Sequence, residues 1–496
     1  MIKKLKTKIL AVCIALVLII ATIPLLSKGN NKTQEIPEYN LTASIDGAYL
    51  KGEMKLNYIN TNNHAVNELF FSLYPNAFKS EENIHNVAVS DRINEAYPNG
   101  FNEGYINIID VLVNNKKAKF SLEKNEQILM VETGEIKENK KCTIEINFEE
   151  KLPDSPMRYG YGSNTYNFGN WYPVLCPYEN GEAIKTTYIS NGDPFYSECA
   201  DYNVTINMAP EFRLASSGTI LSKSTQNPTL TKWQIVGEKL RDFAFVISAD
   251  FNLKSAQVGN TVVYSYYLNN DEMGQRALEY AKASLSCFNS LFGEYPYETL
   301  SVVATDFYIG GMEYPNMVMI DKTLYTPVAQ EALEEVVVHE IAHQWWYGVV
   351  GNNETKEAWL DEGLTQYSVA LYIEEAYGNE RYKSYLRENE IYCKIVFDIV
   401  KESNGTVNKK IDRASEEFEH WLLYDALTYD VSALMFDSLR QNIGKETFFK
   451  GIRQYYENNK FKISSKDKFI SDMSSSTGKD INAYIEPWLE GNIYWG

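Results

Sequence analysis

The segment Val336–Trp346 contains two histidines and a glutamate at a spacing that suits metal chemistry. His339 and His343 are four residues apart, so on a helix both imidazoles lie on one face and can bind one metal ion. Glu340 lies about 100° round the helix axis from His339, where it can accept a proton from a water molecule beside that ion. The pattern therefore predicts a hydrolytic metal site.

A catalytic zinc ion needs a third protein ligand and one open coordination position. Glu362 follows His343 by 19 residues, within the segment Glu357–Gly363, which could begin a second helix. The chain has five histidines, so two at this spacing around a glutamate are improbable by chance. The sequence predicts one Zn²⁺ per chain, bound by His339, His343 and Glu362, with Glu340 as the general base.

The metal-binding pattern, followed by Glu362 within Trp-Leu-Asp-Glu-Gly, resembles the M1 family of zinc aminopeptidases, which are part of the gluzincins. Upstream, residues 310–316 read Gly-Gly-Met-Glu-Tyr-Pro-Asn and resemble the Gly-x-Met-Glu-Asn exopeptidase signature of that family, with Tyr314 where asparagine is usual. The resemblance covers most of the chain. It also includes residues 171–173, 241–245, 292–297 and 488–491.

The resemblance implies a substrate-binding role for Gly310, Gly311, Met312 and Glu313. An aminopeptidase must distinguish a free α-ammonium from an internal peptide nitrogen, and a fixed carboxylate in a partly dry pocket does so by charge. Glu313 is the predicted carboxylate, and the two glycines before it allow the backbone to approach a substrate closely. The alternative is a glycine turn between two strands with an exposed acid.

A peptidase also needs a hydrogen-bond donor where negative charge develops on the carbonyl oxygen. In the M1 family this donor is a tyrosine some 65 residues beyond the third ligand, within Tyr-x-Lys-Gly. Here Tyr429 lies 67 residues after Glu362, although Val431-Ser432 replaces Lys-Gly. We expect Tyr429 to have this role, with Tyr424 as the alternative.

Other polar and aromatic residues near the pattern have less specific interpretations. Glu357 and Asp361 could accept hydrogen bonds from the zinc-binding histidines, although solvated helix positions are an equal alternative. We expect Trp345, Trp346 and Trp359 to pack between the zinc-binding helices, without contacting a substrate.

The spacing of hydrophobic residues along the sequence predicts a multidomain α+β fold. Short alternating strands with Asn and Gly turns, including a hairpin at Asp46-Gly47, predict an N-terminal antiparallel β-sandwich over residues 39–250. Asp271 could cap a helix that ends at Gly293, followed by strands at 300–307 and 317–320 and by mostly helical segments. With the resemblance, residues 251–496 are expected to form a thermolysin-like α+β zinc peptidase domain.

The N-terminus predicts a membrane anchor. Residues 1–8 carry four lysines and are expected to stay cytoplasmic, and residues 9–26 form 18 uncharged, mostly apolar positions. A polar linker over 27–38 is expected to connect this single-pass anchor to the rest of the chain, which would lie on the extracytoplasmic side of the membrane. A cleaved signal peptide and a lipoprotein signal ending at Cys13 are the alternatives.

Composition excludes some functions. The formal net charge is −19, which disfavours binding to nucleic acid. The six cysteines contain no Cys-x-x-Cys pair, so they are expected to be unpaired, with a Cys176–Cys199 disulfide as the alternative for an exported chain.

The resemblance implies a zinc-dependent aminopeptidase that removes N-terminal residues from peptides with a free N-terminus. It also implies a short form without the C-terminal helical domain of larger family members, because the resemblance ends with the chain. An open-cleft zinc endopeptidase and a non-catalytic peptidase-like binding module remain as alternative functions.

Overall fold

The computed structural model describes residues 36–492, and strands dominate the first half of that range. The strands are β1 (Glu38–Asp46), β2 (Tyr49–Ile59), β3 (Val66–Ser72), β4 (Tyr105–Val113), β5 (Lys116–Lys117), β6 (Phe120–Glu123), β7 (Ile128–Ile136), β8 (Lys141–Lys151), β9 (Tyr159–Tyr161), β10 (Tyr166–Phe168), β11 (Val174–Leu175), β12 (Tyr178–Glu179), β13 (Glu182–Ala183), β14 (Ala200–Met208), β15 (Arg213–Ser216), β16 (Thr219–Asn227), β17 (Leu230–Leu240), β18 (Phe245–Ser248), β19 (Asn252–Val258), β20 (Thr261–Tyr267), β21 (Thr299–Thr305), β22 (Gly311–Met312), β23 (Met317–Asp321), β24 (Val350–Gly351) and β25 (Lys462–Ile463).

Helices dominate the second half, so the α+β class predicted from the sequence is confirmed. The α-helices are α1 (Ile84–Val87), α2 (Ile93–Ala96), α3 (Asp271–Leu291), α4 (Gln330–Ala342), α5 (Glu354–Tyr377), α6 (Asn379–Asn404), α7 (Trp421–Asp425), α8 (Ser432–Ile443), α9 (Lys445–Asn459), α10 (Lys466–Thr477) and α11 (Ile481–Leu489). A π-helix over Ala426–Val431 joins α7 to α8.

The largest sheet has eight strands in the order β16-β17-β14-β1-β2-β8-β4-β5. The predicted hairpin is present, because Asp46 pairs with Tyr49 and Gly47 has a φ of 58° in the two-residue turn between them. The expectation of a purely antiparallel arrangement is wrong at one position, since β1 and β14 are parallel. A parallel pair requires a long connection, and the many residues between these two strands provide it.

A five-stranded sheet lies between two hydrophobic cores. Its order is β19-β20-β21-β23-β22, and β20, β21 and β23 are parallel. Along β21, Val303 belongs to the core of the strand-rich half, whereas Val302 and Ala304 belong to the core of the helical half. Because side chains alternate along a strand, each face of the sheet is buried against a different half. The boundary near residue 250 stays a prediction.

The helix that follows β20 is capped one residue earlier than expected. The side chain of Asn270 accepts a hydrogen bond from the backbone N–H of Met273, so Asp271 is the first helical residue and not the cap. The helix ends at Leu291, and the two strands predicted after it form as β21 and β23.

The three tryptophans expected to pack are all buried: Trp345, Trp346 and Trp359.

The predicted membrane anchor over residues 9–26 and the basic tail over 1–8 lie outside the described residues. Within residues 36–492, no helix combines the length and the apolar composition needed to cross a membrane. Five cysteines fall in the described range, and all are buried and free, so the alternative Cys176–Cys199 disulfide is not formed. Cys13 lies outside that range.

Candidate active site

The sequence pattern His-Glu-x-x-His lies at the C-terminal end of α4. Val337, Val338 and Ile341 bury one side of this helix in the core of the helical half, and His343 follows its last residue as the C-cap. His339 and His343 face the same direction, with their Nε2 atoms 3.2 Å apart. The predicted pair of adjacent imidazoles is therefore present.

The third predicted ligand comes from α5. Glu362 Oε2 lies 3.3 Å from His339 Nε2 and 3.1 Å from His343 Nε2. Tetrahedral ligand atoms about 2.0–2.1 Å from a zinc ion are separated by about 3.3 Å, which matches these distances. The donor set of two imidazoles and one carboxylate thus fits zinc. We refer to His339, His343 and Glu362 as the metal triad.

Hydrogen bonds on the far side of each imidazole orient the metal triad. His343 Nδ1 donates to the backbone carbonyl of Trp346 at 2.9 Å, and His339 Nδ1 donates to Gln366 Oε1 at 2.9 Å. With the proton on Nδ1, each Nε2 lone pair is free to bind a metal ion. Sequence reasoning missed Gln366, although it lies one helical turn after Glu362, on the same face of α5.

The two acids proposed as acceptors for the histidines have other partners. Asp361 accepts a hydrogen bond from Asn352 Nδ2 at 3.3 Å, and Glu357 accepts one from the backbone N–H of Lys466 at 3.2 Å. Glu357 has non-helical torsion angles, φ −132° and ψ 42°, inside the range assigned to α5. This kink separates its side chain from the face of the helix that carries Glu362.

Glu340 is buried beside the metal triad. Its Oε2 atom has no hydrogen-bond partner within residues 36–492. Burial, and next the negative charge of Glu313, raise the pKa of Glu340 well above its usual value. A Cβ atom at Gly311 would lie 2.2 Å from Glu340 Oε1, so glycine at this position lets strand β22 approach the carboxylate closely.

Glu313 follows β22 and is also buried, with 4 % of its surface exposed. Its Oε1 atom lacks a hydrogen-bond partner among the described residues. Burial is the main reason that the pKa of Glu313 is raised to about 8, and the charge of Asp193 is the next. The exposed acid considered as an alternative from the sequence is therefore not found.

Two carboxylates that sequence reasoning missed lie next to Glu313. One oxygen atom each of Asp193, Glu313 and Glu354 lies within 4.8 Å of the others. Asp193 belongs to the strand-rich half and forms an ion pair with the buried guanidinium of Arg158. Glu354 is the first residue of α5, and no motif in the sequence distinguishes it from other acids. We call Asp193, Glu313 and Glu354 the carboxylate pocket.

Tyr314 replaces the usual asparagine of the signature and is fully buried in the core of the strand-rich half. Its hydroxyl donates a hydrogen bond to Asn170 Oδ1 at 2.7 Å. A Cβ atom at Gly169 would lie 2.0 Å from this hydroxyl, so glycine there leaves room for it. The larger side chain is thus accommodated inside the strand-rich half, away from Glu340.

Tyr429 lies in the π-helix, a helix type that is often found at functional sites. Its hydroxyl donates to Glu362 Oε1 at 2.6 Å, and its ring stacks on that of His339 with centroids 5.7 Å apart. Tyr424, the alternative, is buried, and its hydroxyl has no partner in the described part of the chain. The predicted tyrosine therefore reaches the metal triad although Lys-Gly is absent.

These groups share one cleft of about 590 Å³. The metal triad, Glu340, Glu313, Asp193 and both candidate tyrosines line it. Further carboxylates on its wall are Glu335, Glu388, Asp425 and Asp430. Carboxyl groups therefore outnumber the two arginines that also line the cleft, Arg92 and Arg158, and a cationic group would be attracted into it.

Comparison with known proteins finds similarity in the helical half and in the whole fold. Residues 276–488 match the Peptidase family M1 domain. Human endoplasmic reticulum aminopeptidase 2 is 25% identical over 242 residues, which are 46% of this chain and 25% of that protein. Aminopeptidase N of Lactobacillus delbrueckii subsp. lactis is 21% identical over 403 residues, 78% of this chain and 46% of that protein.

The chain thus spans between a quarter and a half of the length of these two relatives. A solved structure, an M1 zinc metallopeptidase from Deinococcus radiodurans, matches with a TM-score of 0.66 and 15% sequence identity. That match covers 93% of this chain and 95% of the other, so the two share a fold over nearly their whole length. Residues 276–488 of this chain thus resemble the Peptidase family M1 domain, and the chain shares its fold with a solved M1 zinc metallopeptidase.

Proposed function

We propose that this chain is a zinc-dependent aminopeptidase. The observation that carries the proposal is that the metal triad and the unpartnered carboxylate of Glu313 line the same cleft, which the buried side chain of Glu340 also lines. The metal triad supplies a hydrolytic centre, and Glu313 supplies a negative charge for a peptide N-terminus. The names of the relatives, endoplasmic reticulum aminopeptidase 2 and aminopeptidase N, support the same activity.

In the proposed mechanism, His339, His343 and Glu362 hold the metal. A zinc ion bound there would polarise the scissile carbonyl and lower the pKa of a coordinated water molecule. Glu340 accepts the proton of the attacking water and returns it to the leaving amine, because its carboxylate lies beside the metal triad. Tyr429 donates a hydrogen bond to the carbonyl oxygen as negative charge develops on it.

Tyr429 must change its hydrogen bond to do this. In the structure its hydroxyl donates to Glu362 Oε1, which is a ligand side chain and not a reacting atom. A small rotation of the phenol would redirect the same proton to a substrate oxygen bound next to Glu362. The stacking of the ring on His339 keeps the hydroxyl within reach of the metal triad.

Glu313 sets where the peptide is cut. A peptide whose ammonium binds Glu313 places its first peptide bond in the cleft beside Glu340, so one residue is removed at a time. An acetylated N-terminus carries no positive charge and therefore cannot bind Glu313 as the ammonium does. A solved variant of the Deinococcus radiodurans protein is bound to a Tyr-Ser-Ala substrate, which supports a short peptide as the ligand of this fold.

The proposal extends to location. Four lysines in residues 1–8 and the uncharged run over residues 9–26 support a single-pass anchor with the enzyme on the extracytoplasmic side. Fractionation of cells that express the full chain, followed by protease treatment of intact cells, tests this. Release of the body into the medium would instead support a cleaved signal peptide.

The activity is tested by measuring zinc content and hydrolysis on the same purified preparation. Aminoacyl fluorogenic substrates and their acetylated counterparts are compared with and without a chelator. We expect about one zinc per chain and chelator-sensitive cleavage of the free-amine substrates alone. Cleavage of acetylated peptides at internal bonds would favour an endopeptidase, and bound zinc without any cleavage would favour a binding module.

A further inference from the structure

The carboxylate pocket brings together three acids from distant parts of the chain. Asp193 lies between β13 and β14, Glu313 follows β22, and Glu354 begins α5. One oxygen atom from each lies within 4.8 Å of the other two. All three side chains are at least nine-tenths buried.

Two of the three acids have oxygen atoms without a partner in the described part of the chain. Both oxygen atoms of Glu354 and Oε1 of Glu313 form no hydrogen bond there, and neither side chain is in an ion pair within residues 36–492. Asp193 alone is paired, with Arg158. Buried carboxylates without partners are costly, so the pocket is built to be completed by something from outside.

The three oxygens are close enough together to accept hydrogen bonds from one primary ammonium group. Such a group has three N–H donors in a tetrahedral arrangement, and each forms a charge-assisted hydrogen bond of about 2.8 Å. Three acceptors around it are then about 4.6 Å apart, within the observed limit of 4.8 Å. Asp193 and Glu313 line the cleft, so an ammonium group in the cleft can reach these two acids, whose oxygen atoms lie within 4.8 Å of an oxygen of Glu354.

We propose that Glu354 is the third acceptor for the substrate's α-ammonium and makes the pocket selective for a primary amine. This inference rests on the proposed function, and it adds a specificity residue to it. A secondary amine, as in an N-terminal proline or an N-methylated residue, has two N–H donors and leaves one buried carboxylate unpaired. A site that loses one polar partner in this way discriminates strongly against the ligand.

The test compares two fluorogenic substrates that differ by one methyl group, glycyl and N-methylglycyl. The zinc-loaded wild type is expected to have a kcat/KM about 100-fold higher for the glycyl substrate. Glu354→Gln is expected to lower this ratio at least tenfold, mainly through a higher KM for the glycyl substrate. Glu357→Gln, on the same helix but paired with the Lys466 backbone, is the matched control and should keep the wild-type ratio.

A binding measurement separates this inference from the proposed function. Calorimetry with Ala-Ala-Ala and its N-methyl counterpart on the zinc-loaded wild type and Glu354→Gln reports the same selectivity when turnover is absent. Failure to cleave either substrate would refute the aminopeptidase activity, and the binding ratio would still decide the role of Glu354. An unchanged ratio in Glu354→Gln, with zinc content and fold retained, would overturn the inference and leave Glu354 as a protonated structural acid.

Discussion

The metal triad and two acids of the carboxylate pocket, Asp193 and Glu313, line one cleft, but the triad and the pocket are built in opposite ways. Each imidazole of the metal triad is oriented by a hydrogen bond, and Glu362 accepts from Tyr429 on its other oxygen. In the carboxylate pocket, Glu313 and Glu354 retain oxygens without partners in the part of the chain that the structure describes.

The difference indicates two kinds of ligand. A metal ion that stays bound needs ligands held in one geometry, and the hydrogen bonds behind the metal triad provide this. A substrate group that arrives and leaves needs acceptors that are vacant between turnovers, and the carboxylate pocket has them. The following four variants test this assignment.

The largest effect is expected when the metal triad loses a ligand. Glu362→Ala should abolish both zinc binding and hydrolysis, because two imidazoles alone do not complete the site. Metal analysis after gel filtration checks the first result, and a fluorogenic assay checks the second. Glu375→Ala, at an exposed position of the same helix, is the control. Full zinc content in Glu362→Ala would contradict the assignment of Glu362 as a metal ligand.

Removing the proposed base should separate metal binding from turnover. Glu340→Gln keeps the shape of the side chain and removes its ability to accept a proton. We expect normal zinc content and a kcat lower by about 10²–10⁴-fold. Steady-state kinetics at saturating substrate measure this, and a kcat within a few-fold of the wild type would exclude Glu340 as the base.

Replacement of Tyr429, which donates a hydrogen bond to Glu362 of the metal triad, should have a somewhat smaller effect. Tyr429→Phe removes one donor to the developing oxyanion, which is expected to lower kcat by about 10²–10³-fold. The KM and zinc content should change little. Tyr424→Phe is the matched comparison, and a larger loss in that variant than in Tyr429→Phe would transfer the role to Tyr424.

The smallest effect is expected in the carboxylate pocket. Glu313→Gln removes one charged acceptor for the ammonium, and hydrogen bonds to charged groups are worth about 10–100-fold in affinity. The preference for free over acetylated substrates should fall by that factor, with zinc content unchanged. The ratio of kcat/KM for the two substrates is the readout. If Glu313→Gln instead lost zinc, the carboxylate pocket and the metal triad would not bind their ligands independently.

The two regions also differ in how well the sequence predicts them. Both histidines of the metal triad lie on one helix, and Glu362 belongs to the next helix, so helical periodicity indicates their positions. The acids at 193, 313 and 354 come from three segments that meet because a five-stranded sheet is packed between two cores. No local sequence pattern predicts that these three segments come together. Of the three acids, only Glu313 is found, through the resemblance to the M1 signature.

Errors of the fold prediction have similar causes. Asn270 and Asp271 are both good helix caps, so their order could not be decided from residue type alone. The parallel pairing of β1 with β14 depends on a connection that includes several other strands, which alternation of side chains does not reveal. The helix Asp271–Leu291 and the strands β21 and β23, which depend on local periodicity, were predicted with end positions within a few residues.

The two-sided burial of the five-stranded sheet limits how the chain can be divided for experiments. A fragment that begins near residue 251 would retain the helices that carry the metal triad but expose Val303, Met317 and Met319 to water, because these side chains pack against the strand-rich half. Such a fragment would present an adhesive apolar surface and is expected to aggregate. Expression and crystallisation therefore call for a chain that starts before β1.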